Sequence, residues 1–126
     1  EKKIKQFFKI QTMLPAVGQG IIAVQCRKND NKIKTILQSV SNDETMLCAM
    51  AEREMLRVLD GDCDTAIGGY ATLEKDVIKL RAQLFSDDGI NIFNYKITGN
   101  KEERLKLGKL AGAELLKQAG TNFKKN

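Results

Sequence analysis

The sequence predicts an α+β fold, a three-stranded antiparallel sheet covered by helices. Apolar residues recur at helical spacing over two early segments, alternate with period two through the middle of the chain, and return to helical spacing near its end. Turn residues separate the alternating segments, as hairpins require. The length of 126 residues, with 42% apolar and 29% charged, suits one core.

Taken in order, Ile4 to Gln11 suits either a strand or a short helix and stays open. Pro15-Ala16-Val17-Gly18-Gln19-Gly20 is turn chemistry, and the apolar run from Ile21 to Arg27 reads as a buried strand ended by Asn29-Asp30-Asn31. Ile33, Ile36, Leu37 and Val40 share a helical face, so Lys32 to Val40 is expected to form an amphipathic helix started by Asp30 or Asn31. Ser41-Asn42-Asp43-Glu44 offers a capping box for a second helix. Its face carries Leu47, Met50, Ala51, Met55, Val58 and Leu59, interrupted by Glu54, up to the stop signal Asp60-Gly61.

Beyond the loop of Asp62 to Ile67, Ile78, Leu80, Ala82 and Leu84 alternate with Lys79, Arg81 and Gln83, a strand with one wet face. Tyr70 to Leu73 precedes it across Glu74-Lys75-Asp76. Phe93, Tyr95 and Ile97 follow it across Ser86-Asp87-Asp88-Gly89, completing an antiparallel meander. Lys101 to Ala119 is the closing helix, with Leu105, Gly108, Gly112, Leu115, Leu116 and Ala119 on one stripe. Its two glycines cost about 1 kcal/mol each against alanine, which close packing on the sheet would offset.

Composition prunes the possible functions. The chain has no histidine, so it supplies no imidazole base, no Cys/His dyad and no histidine ligand for a metal. Cys26, Cys48 and Cys63 are widely spaced and odd in number, which reads as a reducing compartment without disulfides. The net charge of +5 comes from dispersed lysines, with small clusters at Lys2-Lys3-Ile4-Lys5 and Lys124-Lys125 that do not interleave with aromatics, so no nucleic-acid partner is expected. The longest apolar run, Ile21 to Val24, is too short to cross a bilayer, and no membrane partner is expected. With Glu1 in first place and no signal segment, the chain is expected to be part of something longer.

Three ordered segments narrow the reading: Leu14-Pro15-Ala16-Val17-Gly18-Gln19-Gly20, Ala51-Glu52-Arg53 and Gly61-Asp62-Cys63. Together with Val24-Gln25-Cys26-Arg27, the Asp88-Gly89 turn and the closing helix through Leu107-Gly108 and Leu115-Leu116 to Gly120, they resemble the C-terminal part of the hydroxymethylbilane synthases (porphobilinogen deaminases) over nearly the whole chain. Asp62 stands where that family usually has glycine, and Ala66 where it usually has proline. Losing the proline widens the loop's unfolded ensemble, at a cost of up to about 1 kcal/mol.

The resemblance implies a transferase of tetrapyrrole (heme) biosynthesis that joins four porphobilinogen molecules head to tail, releases ammonia, and yields hydroxymethylbilane. It implies a dipyrromethane cofactor joined by a thioether to Cys63, with Gln19 and Gly20 near the cofactor cleft. It also implies that the catalytic aspartate and the substrate-binding arginines lie in preceding domains absent from this chain, so no catalytic residue is assigned here. On this reading residues 1–30 end the second domain and return a strand to the first, and residues 31–126 form the cofactor-attachment domain. The partners are porphobilinogen and the missing N-terminal domains, in an enzyme expected to be a monomer.

Local chemistry agrees with an anchor. Asp62 and Asp64 flank the thiol, and nearby negative charge disfavours the thiolate that a turnover nucleophile needs. Cys26 and Cys48 read as ordinary small residues, and Asp87 and Asp88 as hairpin residues. The competing readings are a stand-alone α+β small-molecule-binding or regulatory module, with Cys63 unmodified, and a thiol-dependent enzyme in its own right. Abundant Lys, Ile and Asn with a single proline suit an AT-rich genome and leave cytosol and a plastid-like organelle both open.

Overall fold

A computed structural model of the chain describes residues 3–60 and 65–120. The first helix, α1 (Asn31–Val40), starts where Asp30 Oδ1 accepts the Ile33 N–H at 3.0 Å. The second, α2 (Asp43–Val58), is capped one residue later than the capping-box reading predicts: Asn42 Oδ1 accepts the Thr45 N–H at 2.8 Å. Asp43 and Glu44 sit in its first turn and Arg57 in its last, each complementing the helix dipole.

Strands β1 (Ile67–Glu74), β2 (Val77–Phe85) and β3 (Ile92–Asn100) form the predicted meander, antiparallel in the order β1-β2-β3. Glu74 pairs with Val77 across a two-residue turn, and Phe85 with Ile92 across the longer loop. The register places Ile78, Leu80, Ala82 and Leu84 on the buried face of β2 and leaves Lys79 exposed on the other, as the alternation predicts. A 3₁₀ turn (Lys101–Glu103), capped by Asn100, leads into α3 (Arg104–Ala119).

Helices α2 and α3 lie together on one sheet face and enclose the core. Met55 and Leu59 come from α2 and the following turn, Ile78, Leu80 and Leu84 from β2, and Leu107, Ala111 and Leu115 from α3. The stripe of α3 differs from the expected one. Leu105 is 47% exposed, while Leu107 and Ala111 are buried. Gly108 and Gly112 face α2 and not the sheet: a β-carbon on Gly112 would stand 2.7 Å from Val58 Cβ, and one on Gly108 2.9 Å from Glu54 Cβ. The small residues bring two helices together, and Leu107 reaches β3 at Gly99.

The N-terminal third departs furthest from the sequence reading. The buried strand expected at Ile21 to Arg27 does not form. The stretch is irregular, and Ile22 is 92% exposed. A strand exists only through its ladder partners, and among the described residues no strand lies alongside it. Helix α1 forms where expected but buries no residue, and Ile36 on its apolar face is 53% exposed. The segment from Ile4 to Gln11 is neither strand nor helix. It ends in a single turn in which the Thr12 and Met13 amides donate to the Lys9 carbonyl.

Candidate functional site: the glycine turn at the sheet edge

The Gly-Gln-Gly segment folds as two consecutive turns. The Gln19 amide donates to the Ala16 carbonyl at 3.0 Å, and the Ile21 amide to the Gly18 carbonyl at 3.2 Å. Gly18 and Gly20 occupy the third position of their respective turns with φ of 72° and 81°. Positive φ at that position alone is the type II pattern, which favours glycine because a β-carbon there is strained.

Two tethers hold this double turn against β1, an edge of the sheet. Pro15 accepts the Gly69 amide at 2.9 Å, and Ala16 forms an isolated antiparallel bridge with Gly68. Glu52 of α2 supplies the second tether. Its Oε2 accepts the Gly18 amide at 2.9 Å, and its Oε1 accepts the Ala71 amide at 2.7 Å. The outward amides of Gly69 and Ala71, which an edge strand would otherwise present to solvent or to another chain, are thereby satisfied. Val17 packs against the core beside Gly69, where a β-carbon would stand 2.8 Å from Val17 Cγ2.

Glu52 is 4% exposed. Burial pushes its carboxyl above the ordinary range, opposed by the Gly18 and Ala71 amides, which favour the charged form. The sequence reading missed this role. Glu54, which interrupts the apolar face in sequence, instead makes a two-point contact with Arg57 at 2.7 and 2.9 Å. The available signal was spacing: Glu52, Met55 and Leu59 follow the i, i+3, i+7 rule and share the buried face.

Gln19 and Gly20 are exposed at the tip of the double turn. The Gly18, Gln19 and Ile21 amides are engaged, whereas the Gly20 amide makes no hydrogen bond among the described residues. A β-carbon at Gly18 or Gly20 would meet nothing within 4 Å, so the space beside the turn is open. Cys63, the predicted attachment residue, lies outside the described residues, as do its neighbours Asp62 and Asp64. In sequence it falls between the end of α2 and the start of β1, the two elements that Glu52 joins.

The remaining candidates sort plainly. Cys26 is exposed and Cys48 half-buried, and both are free thiols. Burial raises the Cys48 thiol, with smaller contributions from Glu52 and Glu44. Asp88 works within the β2–β3 loop, accepting from the Ser86 hydroxyl at 2.5 Å and the Ile90 amide at 3.0 Å. No helix of the described residues is long and apolar enough to cross a membrane.

An α+β domain with α2 and α3 on one sheet face, a cysteine in the helix-to-sheet connection of the sequence and a paired glycine turn tied to the sheet edge is the class these features define. Residues 46–117 match the family model described as porphobilinogen deaminase, C-terminal domain, and residues 1–35 match the model described as porphobilinogen deaminase, dipyromethane cofactor binding domain. The chain belongs to the porphobilinogen deaminase family. It is 38% identical over 123 residues to a porphobilinogen deaminase of Coxiella burnetii, covering 98% of this chain and 40% of that protein. It is 41% identical over 125 residues to the chloroplastic porphobilinogen deaminase of Pisum sativum, covering 97% of this chain and 34% of the relative. A Staphylococcus aureus porphobilinogen deaminase is 35% identical over 116 residues, covering 91% and 37%. The chain therefore spans about two fifths of the length of the curated relatives it matches. Nothing in these matches favours a stand-alone binding or regulatory module.

Proposed function

We propose that the chain is the C-terminal portion of a transferase that polymerises four porphobilinogen molecules into hydroxymethylbilane with release of ammonia, carrying its dipyrromethane on Cys63. The observation that supports this best is the tether between the exposed Gln19-Gly20 tip and β1, the strand that follows the cysteine loop in sequence. That strand begins at Ile67, four positions after Cys63 in sequence.

The residues present suit such a group. The space beside Gly18 and Gly20 is open, the Gly20 amide is available to an acceptor, and Gln19 is exposed with both amide functions at hand. A thiol flanked by Asp62 and Asp64, in a chain without histidine, suits a carbon–sulfur bond made once during assembly better than a nucleophile renewed at each turnover. When bound, the dipyrromethane supplies the primer on which the product grows. This chain's part is to hold that primer and to orient it through Gln19 and Gly20. Catalysis and recognition of the substrates' carboxylates fall to preceding domains.

On this reading residues 1–30 close the preceding part of the enzyme and 31–126 form the attachment domain. The apolar residues left uncovered here, Ile22, Val24 and Ile36 among them, suit contact with the rest of the polypeptide. The complete enzyme is a monomer of the cytosol or of a plastid-like organelle, the latter in keeping with the chloroplastic pea relative.

The intact mass of the complete polypeptide tests the assignment. An adduct of two linked porphobilinogen units, lost in Cys63→Ser together with activity, is the expected result. An unmodified mass in active enzyme would overturn it.

A further inference from the structure

The Glu52 carboxylate joins three pieces of chain far apart in sequence. It sits on α2, it accepts the Gly18 amide 34 positions away, and it accepts the Ala71 amide 19 positions away. A helix-to-sheet stitch alone would need one of those bonds. The second engages a turn whose tip, Gln19-Gly20, is exposed.

We propose that Glu52 is a positioning residue that locks the Gly18-Gln19-Gly20 turn onto the edge strand following the cysteine loop, so that Gln19 and Gly20 are presented in one orientation to the group held there. The latch itself stands on the two hydrogen bonds. Its consequence for a ligand rests on the function proposed above.

Side-chain chemistry makes glutamate hard to replace at this position. Both partners are N–H donors, so both terminal atoms of the side chain must accept. Glutamine has one acceptor and turns an NH₂ donor toward the other amide, leaving two donors face to face in a buried place. Aspartate is one methylene shorter and cannot span both amides from the same backbone position. The prediction is thus a specific one: glutamine, nearly the same shape, frees one tethered amide.

The test uses the complete enzyme as wild type, Glu52→Gln, Gly18→Ala and Leu107→Ala. Gly18→Ala strains the latch from the turn side and leaves α2 untouched, because Gly18 has positive φ. Leu107 packs near Gly99 on β3, the opposite edge from β1, and serves as a destabilised control.

Amide hydrogen exchange at residues 16–21 and at Ala71 is read beside steady-state kinetics with porphobilinogen. In Glu52→Gln, exchange at residues 16–21 is expected to rise at least tenfold and kcat to fall about tenfold with KM within about twofold. Gly18→Ala is expected to reproduce the kinetic change, and Leu107→Ala to leave the kinetic constants and the exchange of the turn close to wild type. Unchanged exchange in Glu52→Gln would overturn the latch. A kcat loss in Leu107→Ala equal to that in Glu52→Gln, or faster exchange in Glu52→Gln with unaltered kinetics, would reduce Glu52 to a structural role and overturn the positioning claim. The exchange arm needs no cofactor, so it decides the latch even if the mass measurement shows Cys63 bare.

Discussion

Gly108 on α3 lies against the main chain of Ala51 on α2 so closely that any β-carbon would run into the Ala51 carbonyl and stand 3.0 Å from the Met55 amide nitrogen. Backbone cannot give way as a flexible side chain can. Gly108→Ala gains about 1 kcal/mol of helix propensity but forces the helices apart, at a typical overpacking cost of about 1–3 kcal/mol. The net expectation is destabilisation, read as a lower urea midpoint, with the larger Gly108→Val worse. An alanine variant as stable as wild type would show that α2 and α3 can separate freely.

Burial raises the Glu52 carboxyl above its ordinary value, so the folded state binds this proton more tightly than the unfolded one. The stabilising contribution is then fully present below the unfolded carboxylate range and is lost as pH rises through that range to the raised folded value. The slope cannot exceed about 1.4 kcal/mol per pH unit for a single proton. Urea unfolding from acid to neutral pH is expected to show this decline in wild type and not in Glu52→Gln. A difference that instead grows with pH would mean the two amides outweigh burial. Cys48 lies within electrostatic reach of Glu52, so the comparison keeps it unchanged.

Lys75 holds φ at 56° in the two-residue β1–β2 turn, a conformation that glycine adopts without a β-carbon penalty. Lys75→Gly is expected to stabilise by about 1 kcal/mol, the relieved strain exceeding glycine's added unfolded-state entropy. Thermal unfolding measures it, and a lower midpoint would refute the strain.

Asp88 is a loop residue on this account, tying Ser86 to Ile90. Asp88→Ala is expected to cost about 1 kcal/mol while leaving the turnover of the complete enzyme within about twofold. A loss of two orders of magnitude in kcat would move Asp88 into the chemistry.

Much of this architecture is written locally. The alternation from Ile78 to Leu84, the capping signals before Ile33 and Thr45, and the glycines at positions 18 and 20 each act over a few residues. Side-chain periodicity and backbone φ are properties of short segments, so these elements could be read without knowing what they pack against. The ordered segments Pro15 to Gly20 and Ala51-Glu52-Arg53 carried the family as a resemblance, and the family-model matches agree with it.

Other outcomes depended on residues distant in the chain. The run from Ile21 to Arg27 has the composition of a buried strand, but pairing needs a second strand, and none among the described residues lies beside it. Gly108 and Gly112 mark a close approach, yet whether to sheet or helix was settled by how α2 and α3 share the sheet face. Glu52 is the clearest case. As a letter within Ala51-Glu52-Arg53 it looks like a solvated helix charge, and only the convergence of the Gly18 and Ala71 amides makes burial of that carboxylate tolerable. Patterns of a few residues follow from local sterics and hydrophobicity, whereas the role of a buried polar group depends on partners that only the folded chain brings within hydrogen-bond reach.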